Sequence, residues 1–172
     1  MDAALPMDAL PIEAALPLYA SLPDLASAPA LRAALAPTTA EGKQDTELNT
    51  LTEVRSSGLP GAGLGLFARA DLKRNAVLGV YGGELLSAAA VAARYPAGEA
   101  QYVLDIGGGR FRDAADPARS NVLRFINATR NSGRRPNVRF CWGRGTVRTK
   151  RRVRAGEELL AVYGTSFSMK RA

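Results

Sequence analysis

The stretch RFINATRNSGRRPNV, from Arg124 to Val138, joins an apolar run to a polar and strongly basic loop. The apolar run predicts a buried strand, formed by Val122, Leu123, Phe125 and Ile126. Asn127 closes that strand, and Pro136-Asn137 precede a second β-like run, Val138 to Trp142. Pro and Asn favour turns. The sequence therefore predicts a basic loop held at both ends by strands.

Four further segments accompany this stretch in a fixed order. They are GLPGAGLGLFA (Gly58 to Ala68), VYGGE (Val80 to Glu84), QYVLD (Gln101 to Asp105) and RAGEELLAVYG (Arg154 to Gly164). A lone Gly-x-Gly is weak evidence, whereas separated motifs in order are far more specific. Together they resemble the SET domain, the fold of S-adenosylmethionine-dependent protein lysine methyltransferases. The resemblance covers Leu51 to Phe167.

The resemblance implies a fold class that is mostly β with short helices. This is the SET-domain, or β-clip, fold of small sheets with a C-terminal pseudoknot. The RFIN strand, its loop and the segment ending in the final tyrosine form the pseudoknot, and one segment threads beneath a loop made by another. Threaded topologies are rare and therefore informative. We expect residues 1–45 to be an Ala/Leu/Pro-rich flexible extension, residues 46–168 the SET domain, and residues 169–172 a basic C-terminal tail.

The resemblance also implies a binding site for the cofactor S-adenosylmethionine. By position it would comprise Ala62, Gly63, Leu64, Gly65, Tyr102, Arg124, Phe125, Asn127 and Ala128. Alternating glycines let the backbone approach a ligand closely while the intervening apolar residues enter a core. Family members often carry Lys or Arg where this chain has Ala62, a change that leaves the backbone amides in place.

The catalytic residues implied by the resemblance are tyrosines. Tyr163 follows the GEEL segment as the family's catalytic tyrosine does, and Tyr81 is the second candidate. Phe140 is expected to line a tunnel for the substrate lysine, and Phe167 to close its mouth, because the chain lacks the cysteine-rich segment that does so in many relatives. The expected substrate is a histone tail or another basic protein.

The central motif departs from the family's commonest form, Asn-His-Ser-Cys-x-Pro-Asn. Ala128, Thr129 and Arg130 stand in place of His, Ser and Cys, which is similar to PR-type and shorter divergent members. The alternative is a catalytically degenerate SET domain that binds a protein or nucleic acid. Residues 144–154 are basic but lack the interleaved aromatic residues that stack on bases.

Composition limits the chemistry and points to a charged partner. With one cysteine and no histidine, the chain can form neither an internal disulfide nor a Cys/His zinc site, and it has no histidine base. Residues 1–50 hold seven acidic and two basic residues, whereas residues 51–172 hold nine acidic and 21 basic residues. That basic excess favours a polyanion such as nucleosomal DNA.

The N-terminal segment repeats Leu-Pro, and prolines at this spacing forbid a long helix. We expect short helical turns near residues 28–35 and a polar linker over residues 38–49. No Lys or Arg precedes Arg32, so the sequence predicts neither a secretory signal nor a transit peptide, and no run is long enough to span a membrane. Lys150-Arg151-Arg152 resembles a short nuclear-localisation signal, and the alternative is a solvated strand-and-turn face. The first interpretation predicts the nucleus as the location, with the cytoplasm as the alternative.

The remaining chain divides into short elements. Leu51 to Arg55 predicts the first strand, and β-like runs flank the turn at residues 73–75. Ser87 to Tyr95 predicts a short helix with Ser87 as its N-cap. Strands are then expected at 102–106, at 110–112 and, last, at 159–163.

Overall fold

The structure is a computed structural model that describes residues 42–98, 100–129 and 132–163, with side chains from residue 47 onward. None of the helices in these ranges has the length and apolarity that a membrane crossing requires. The expectations for residues 1–41, for Phe167 and for the tail at 169–172 lie outside the described residues.

The described chain is built mainly of short strands. In order they are β1 (Thr52–Ser56), β2 (Leu64–Ala68), β3 (Val77–Val80), β4 (Glu84–Ser87), β5 (Val103–Gly107), β6 (Arg110–Asp113), β7 (Asn127–Ala128), β8 (Val138–Cys141), β9 (Thr146–Thr149) and β10 (Leu160–Ala161). Two α-helices accompany them, α1 (Gly42–Leu51) and α2 (Ala88–Arg94), with 3-10 helices at Pro117–Arg119 and Val122–Phe125. The mostly β class with short helices is confirmed.

The strands in these ranges form four small sheets. Two are antiparallel and three-stranded, with strand orders β3-β9-β8 and β4-β6-β5. Strands β1 and β2 form an antiparallel pair, and β7 pairs with β10 in parallel. Helix α2 begins after the N-cap Ser87, whose hydroxyl accepts from the Ala90 amide at 3.2 Å, as the sequence predicts.

One main core joins these sheets. Its fully buried aliphatic side chains come from both halves of the chain and include Leu48, Leu66, Leu123, Ile126, Val138, Val147, Val153 and Leu159. A smaller cluster, Leu86, Val91 and Val103, fills the space between α2 and the β4-β6-β5 sheet. Burial of these apolar groups is the main favourable term that holds small sheets together.

The apolar run before Asn127 is a 3-10 helix, so the predicted strand at this position is wrong. Asn121 begins the helix, and its side-chain oxygen accepts from the Leu123 amide at 3.3 Å. With about three residues per turn, Leu123 and Ile126 fall on one face, and both are fully buried. A continuous apolar run does not distinguish this geometry from a buried strand.

The predicted polar linker is also wrong from residue 42 onward, because α1 occupies Gly42–Leu51. Its Leu48 is fully buried in the main core, and the Thr52 hydroxyl donates to the Leu48 carbonyl at 2.7 Å. Burial of Leu48 therefore anchors the otherwise polar helix α1 to the domain. The first strand accordingly begins at Thr52, one residue later than predicted.

The C-terminal segment passes between the two ends of the basic loop. On one side β10 pairs with β7, and the Thr129 amide donates to the Ala161 carbonyl at 2.9 Å. On the other side the Asn137 amide donates to the Leu160 carbonyl at 2.9 Å, and the Leu160 amide donates to Asn137 Oδ1 at 2.8 Å. This is the arrangement that a pseudoknot requires. The regular part of the last strand is only Leu160–Ala161, shorter than the predicted run 159–163.

Candidate active site

Three aromatic side chains from distant parts of the chain meet beside the pseudoknot. The Tyr81 and Phe140 rings meet edge to face with centroids 5.7 Å apart. The Phe140 and Tyr163 rings are tilted, with centroids 6.1 Å apart. The structure thus brings together both predicted catalytic tyrosines and one predicted tunnel residue. Such a cluster presents apolar ring faces together with polar hydroxyls.

Tyr81 is held in place by its backbone and by its hydroxyl. The Tyr81 amide donates to the Gly145 carbonyl at 3.0 Å, and its hydroxyl donates to the Tyr102 carbonyl at 3.1 Å. The Asn121 side chain fixes the neighbouring backbone, because Nδ2 donates to the Val80 carbonyl at 2.9 Å and Oδ1 accepts from the Gly82 amide at 3.2 Å. Burial raises the pKa of Tyr81 well above its usual range, so its hydroxyl stays protonated at neutral pH.

Tyr163 joins the aromatic cluster to the pseudoknot. It follows β10 after one residue, and its hydroxyl donates to the Ile126 carbonyl, directly before Asn127. Burial and, secondarily, the neighbouring Tyr102 raise the pKa of Tyr163. A tyrosine that keeps its proton is a hydrogen-bond donor and a polar wall rather than a general base at neutral pH.

Asn127 lies at the centre of the polar part of the site. Its Nδ2 donates to the Leu64 carbonyl at 2.9 Å, to Ser57 Oγ at 3.2 Å and to Glu158 Oε1 at 3.2 Å. The amide therefore connects the threaded loop to the glycine segment. The second residue of β7, Ala128, is half-buried and pairs with Ala161.

Glu158 is a site residue that sequence analysis missed, because it lies directly before the predicted last strand at 159–163 and outside the predicted site. Its side chain is 1% exposed. The carboxylate accepts from Ser57 Oγ at 2.5 Å and from the Gly58 amide at 3.0 Å, besides Asn127. The sequence signal that could have identified Glu158 is its position directly before the apolar run Leu159-Leu160-Ala161. A residue adjoining a buried run lies close to the protein interior.

The predicted glycine segment surrounds this carboxylate. A Cβ atom at Gly65 would lie 2.4 Å from Glu158 Oε1, so only glycine leaves room there. Gly63 has φ +65 and is exposed, and its carbonyl accepts from the Ser57 amide at 2.8 Å. Ala62 and Leu64 are half-buried on either side of Gly63. The segment thus places an exposed, side-chain-free backbone next to Asn127, whose amide reaches the Leu64 carbonyl.

Arg124 points to the protein interior. It is 6% exposed, its guanidinium carbon lies 4.3 Å from the centroid of the Tyr102 ring and 5.6 Å from that of Phe125, and Nη2 donates to the Ala115 carbonyl at 3.2 Å. The Nε atom is buried, and no residue in the described ranges forms a hydrogen bond with it. Cation–π contact stabilises such an arrangement more strongly when it is desolvated. The guanidinium therefore supports Tyr102, whose carbonyl receives the Tyr81 hydroxyl.

A separate cavity of about 530 Å³ adjoins the site. Its walls include Gly58, Asn137, Glu158 and four arginines, Arg55, Arg134, Arg135 and Arg151. None of the predicted cofactor or catalytic residues that the structure describes lines it. Glu158 and Gly58 therefore separate this arginine-lined space from Asn127.

Comparison with known proteins agrees with the geometry. The SET-domain family model matches residues 63–164, more than half of the chain. A search of curated protein sequences gave no match. Solved structures with a similar fold include an autoinhibited conformation of ctPRC2 bound to S-adenosylmethionine, with 27% identity and a TM-score of 0.52. They also include an active polycomb repressive complex 2 in the basal state, with 27% identity and a TM-score of 0.54. A third is apo ctPRC2 in an autoinhibited state, with 26% identity and a TM-score of 0.53.

Each of these three matches covers 64% of the present chain but only 15% of the other chain. The similarity is therefore to one domain of much larger proteins. The family match starts within the glycine segment, at Gly63, and ends one residue after Tyr163, so it includes the aromatic cluster, Asn127 and Glu158. This chain belongs to the SET-domain family.

Proposed function

We propose that the chain is an S-adenosylmethionine-dependent protein lysine N-methyltransferase. The observation that carries the proposal is the cluster of Tyr81, Phe140 and Tyr163, joined to Asn127 through the hydrogen bond from Tyr163 to Ile126. An aromatic passage with hydroxyls at its wall suits the apolar stem and cationic head of a lysine side chain. The same wall adjoins the polar group of residues that would hold the cofactor.

The residues next to Asn127 fit the amino-acid part of S-adenosylmethionine. Among the described residues, nothing donates to Asn127 Oδ1, while its Nδ2 is held by the Leu64 carbonyl. An open amide oxygen beside a glycine backbone is a suitable acceptor for an ammonium group. The exposed backbone at Gly63 offers close approach without a side chain. We propose that these groups, with Ala62, Gly65, Tyr102, Phe125 and Ala128, bind the cofactor and that Arg124 supports Tyr102 from the interior.

The bound cofactor supplies an electrophilic methyl group on a sulfonium. The protein must provide a neutral amine in line with that group. Deprotonating a lysine of pKa about 10.4 at pH 7 costs roughly 4–5 kcal/mol. Orientation in a narrow site lowers a barrier by about 7–11 kcal/mol in favourable cases, and desolvation lowers the lysine pKa. Positioning therefore suffices for the reaction in a chain without histidine.

In this proposal Tyr163 is the residue that touches the reacting groups. Its ring packs against Phe140, and its raised pKa keeps the hydroxyl protonated while it donates to the Ile126 carbonyl. A hydroxyl oxygen fixed in this way stabilises the partial positive charge on a methyl group in transfer. Tyr81 shapes the opposite side of Phe140 and is the second candidate.

The proposed substrate is a lysine of a histone tail or of another basic protein, and the proposed location is the nucleus. Support comes from the similar domains of polycomb repressive complex 2. The run Lys150-Arg151-Arg152 is partly engaged in the fold, since Arg151 pairs with Glu157 at 2.9 Å and Arg152 with Asp71 at 2.5 Å. A receptor for a nuclear-localisation signal would therefore have to bind these residues on the surface of the folded domain.

The test is transfer of labelled methyl groups from S-adenosylmethionine to a histone mixture by the whole chain and by Tyr163→Phe. We expect the variant to lose about 100-fold in rate, the loss typical of removing one fixed polar group. Its thermal stabilisation by the cofactor should remain, because the ring still packs. Tyr95→Phe is the matched control, since it removes a hydroxyl that donates to Asp113 at 2.7 Å, away from the aromatic cluster.

Two results would contradict the proposal. If Tyr163→Phe transfers methyl groups as fast as the parent chain, the catalytic role is wrong. If the parent chain is stabilised by S-adenosylmethionine but methylates no protein lysine, the domain is a degenerate SET domain that binds without turnover. Ala128, in the place of the usual histidine, is the feature that would explain that second outcome.

A further inference from the structure

The outer face of the β3-β9-β8 sheet carries two arginines directly opposite each other. Arg139 of β8 and Arg148 of β9 are paired in register. Side chains alternate along a strand, and the neighbours Val138 and Val147 are fully buried in the core. The two guanidinium groups therefore extend from the same outer face, on Cα atoms about 4.5–5.5 Å apart. Like charges placed directly opposite each other destabilise a strand pair.

Asn75 holds both arginines without neutralising them. Arg139 Nη2 donates to Asn75 Oδ1 at 2.9 Å, and Arg148 Nη1 donates to the Asn75 carbonyl at 3.1 Å. Asn75 adopts the left-handed conformation, with φ 64, in the turn that precedes β3. Within the described residues neither arginine takes part in an ion pair. The charges are thus oriented but not compensated.

Three more cations border the pair. Lys73 and Arg74 belong to the same turn as Asn75, and Lys150 directly follows β9. Backbone contacts hold this turn to the sheet, since Thr149 Oγ1 donates to the Lys73 carbonyl at 2.6 Å. All three side chains are exposed, and no carboxylate in the described ranges pairs with them. We call Lys73, Arg74, Arg139, Arg148 and Lys150 the basic face.

We propose that the basic face binds the phosphate backbone of double-stranded DNA. A cluster of uncompensated cations on a rigid sheet is complementary to a dense, regular polyanion. Guanidinium groups bind phosphate oxygens through two parallel hydrogen bonds. DNA binding by this face does not depend on methyl transfer and would also occur in a degenerate domain.

The composition of the face favours a duplex over a single strand. The side chains beside the two arginines on this face are Val77, Cys141 and Thr146. Phe140 alternates to the opposite side, where it packs on Tyr81 and Tyr163. Single strands bind through stacking on aromatic rings, which these positions do not offer. Contact with the sugar-phosphate backbone needs none.

The test compares Arg139→Gln/Arg148→Gln with a control that loses the same charge elsewhere, Arg110→Gln/Arg119→Gln. Arg110 and Arg119 are exposed and belong to the region of the β4-β6-β5 sheet. Binding to a labelled DNA duplex is measured by fluorescence anisotropy at several salt concentrations. Each phosphate contact contributes about 0.9 to the slope of log K against log salt. We therefore expect the slope for Arg139→Gln/Arg148→Gln to be smaller in magnitude by about 1.8. Its affinity for DNA at roughly 0.1 M salt should be lower by about 60-fold.

Three outcomes would overturn the proposal. One is an equal loss of affinity in both double variants, which would indicate only a net-charge effect. Another is a parent chain that does not bind duplex DNA at low salt. The third is a parent chain that binds poly-glutamate but not DNA, with binding abolished by the Arg139 and Arg148 changes, which would assign the face to an acidic protein. Thermal unfolding checks that each variant is folded. If the double variant does not fold, the single variant Arg139→Gln replaces it, and the expected change in slope is then half as large.

Discussion

Replacing Glu158 by glutamine tests how the site is held together. The change keeps the size of the side chain but removes its charge and turns one acceptor oxygen into a donor. In the native protein the two carboxylate oxygens accept from Ser57 Oγ, the Gly58 amide and Asn127 Nδ2, at distances of 2.5, 3.0 and 3.2 Å. Arg134 Nη1 lies 3.8 Å away. Every neighbour of the carboxylate in this set is a donor.

The expected cost follows from these contacts. If the glutamine oxygen takes the Oε1 position, it keeps the bonds from Ser57 and Asn127, and its amino group then faces the Gly58 amide. One bond to a charged group is lost, worth about 1.5–3 kcal/mol, and the others weaken because the acceptor is neutral. We expect unfolding to become easier by about 2–4 kcal/mol. That lowers the melting temperature by roughly 5–15 °C for a chain of this size.

The assay is chemical unfolding of the parent chain, of Glu158→Gln and of Glu157→Gln. Glu157 is the matched control because it is the neighbouring carboxylate, its side chain is 32% exposed, and it pairs with Arg151 at the surface. Such a surface pair contributes about 0–1 kcal/mol. Hydrogen exchange at the Gly58 amide adds a local measure, and we expect it to accelerate only in Glu158→Gln.

The role assigned to Glu158 is contradicted if the two variants lose the same stability, or if Glu158→Gln loses less than about 0.5 kcal/mol. Either result would mean that the carboxylate does not hold the glycine segment to Asn127. Unchanged exchange at Gly58 in a destabilised variant would place the cost elsewhere in the fold.

Two other changes test the core and the aromatic cluster. Leu48→Ala should destabilise the domain by about 2–5 kcal/mol, because it empties a fully buried position in the main core. The control is Glu47→Ala, on the exposed side of the same helix, which should change the free energy of unfolding by less than about 0.5 kcal/mol. Urea unfolding measures both. Stability should also fall as the pH rises above about 10, because unfolded tyrosines ionise there while Tyr81 and Tyr163 remain protonated in the folded domain. The expected slope is about 1.4 kcal/mol per pH unit for each tyrosine, and Tyr163→Phe should reduce it; a slope that this variant leaves unchanged would contradict the assignment of a buried hydroxyl.

Much of the local structure was readable from the sequence, since its signals act over a few residues. Ser87 begins α2 because a hydroxyl at this position accepts from an amide three residues on. The order of the motifs was enough to identify the family, and it predicted Tyr81 and Tyr163 as candidate catalytic residues. The strands β5, β6 and β8 also lie where short β-like runs and glycine turns predict them.

The errors fall where a local pattern has two solutions and packing selects one. The run Val122–Phe125 is apolar throughout, and the cap from Asn121 together with burial of Leu123 selects a 3-10 helix over a strand. Residues 42–49 look like a linker, because a polar sequence with a single buried leucine carries almost no periodic signal. Leu48 is decisive only once the core it enters is assembled.

Motif order and composition were sufficient for the family and the mostly β class, and they supplied the candidate site residues other than Glu158. Tertiary structure alone decided that Glu158 joins Ser57 and Asn127, since the first contact spans 101 positions of the chain and the second 31. It also decided that Arg139 faces Arg148 in register, which a one-residue shift in pairing would have undone. Contacts of this kind depend on how strands pair and thread, and the chemistry of each residue does not specify its partner.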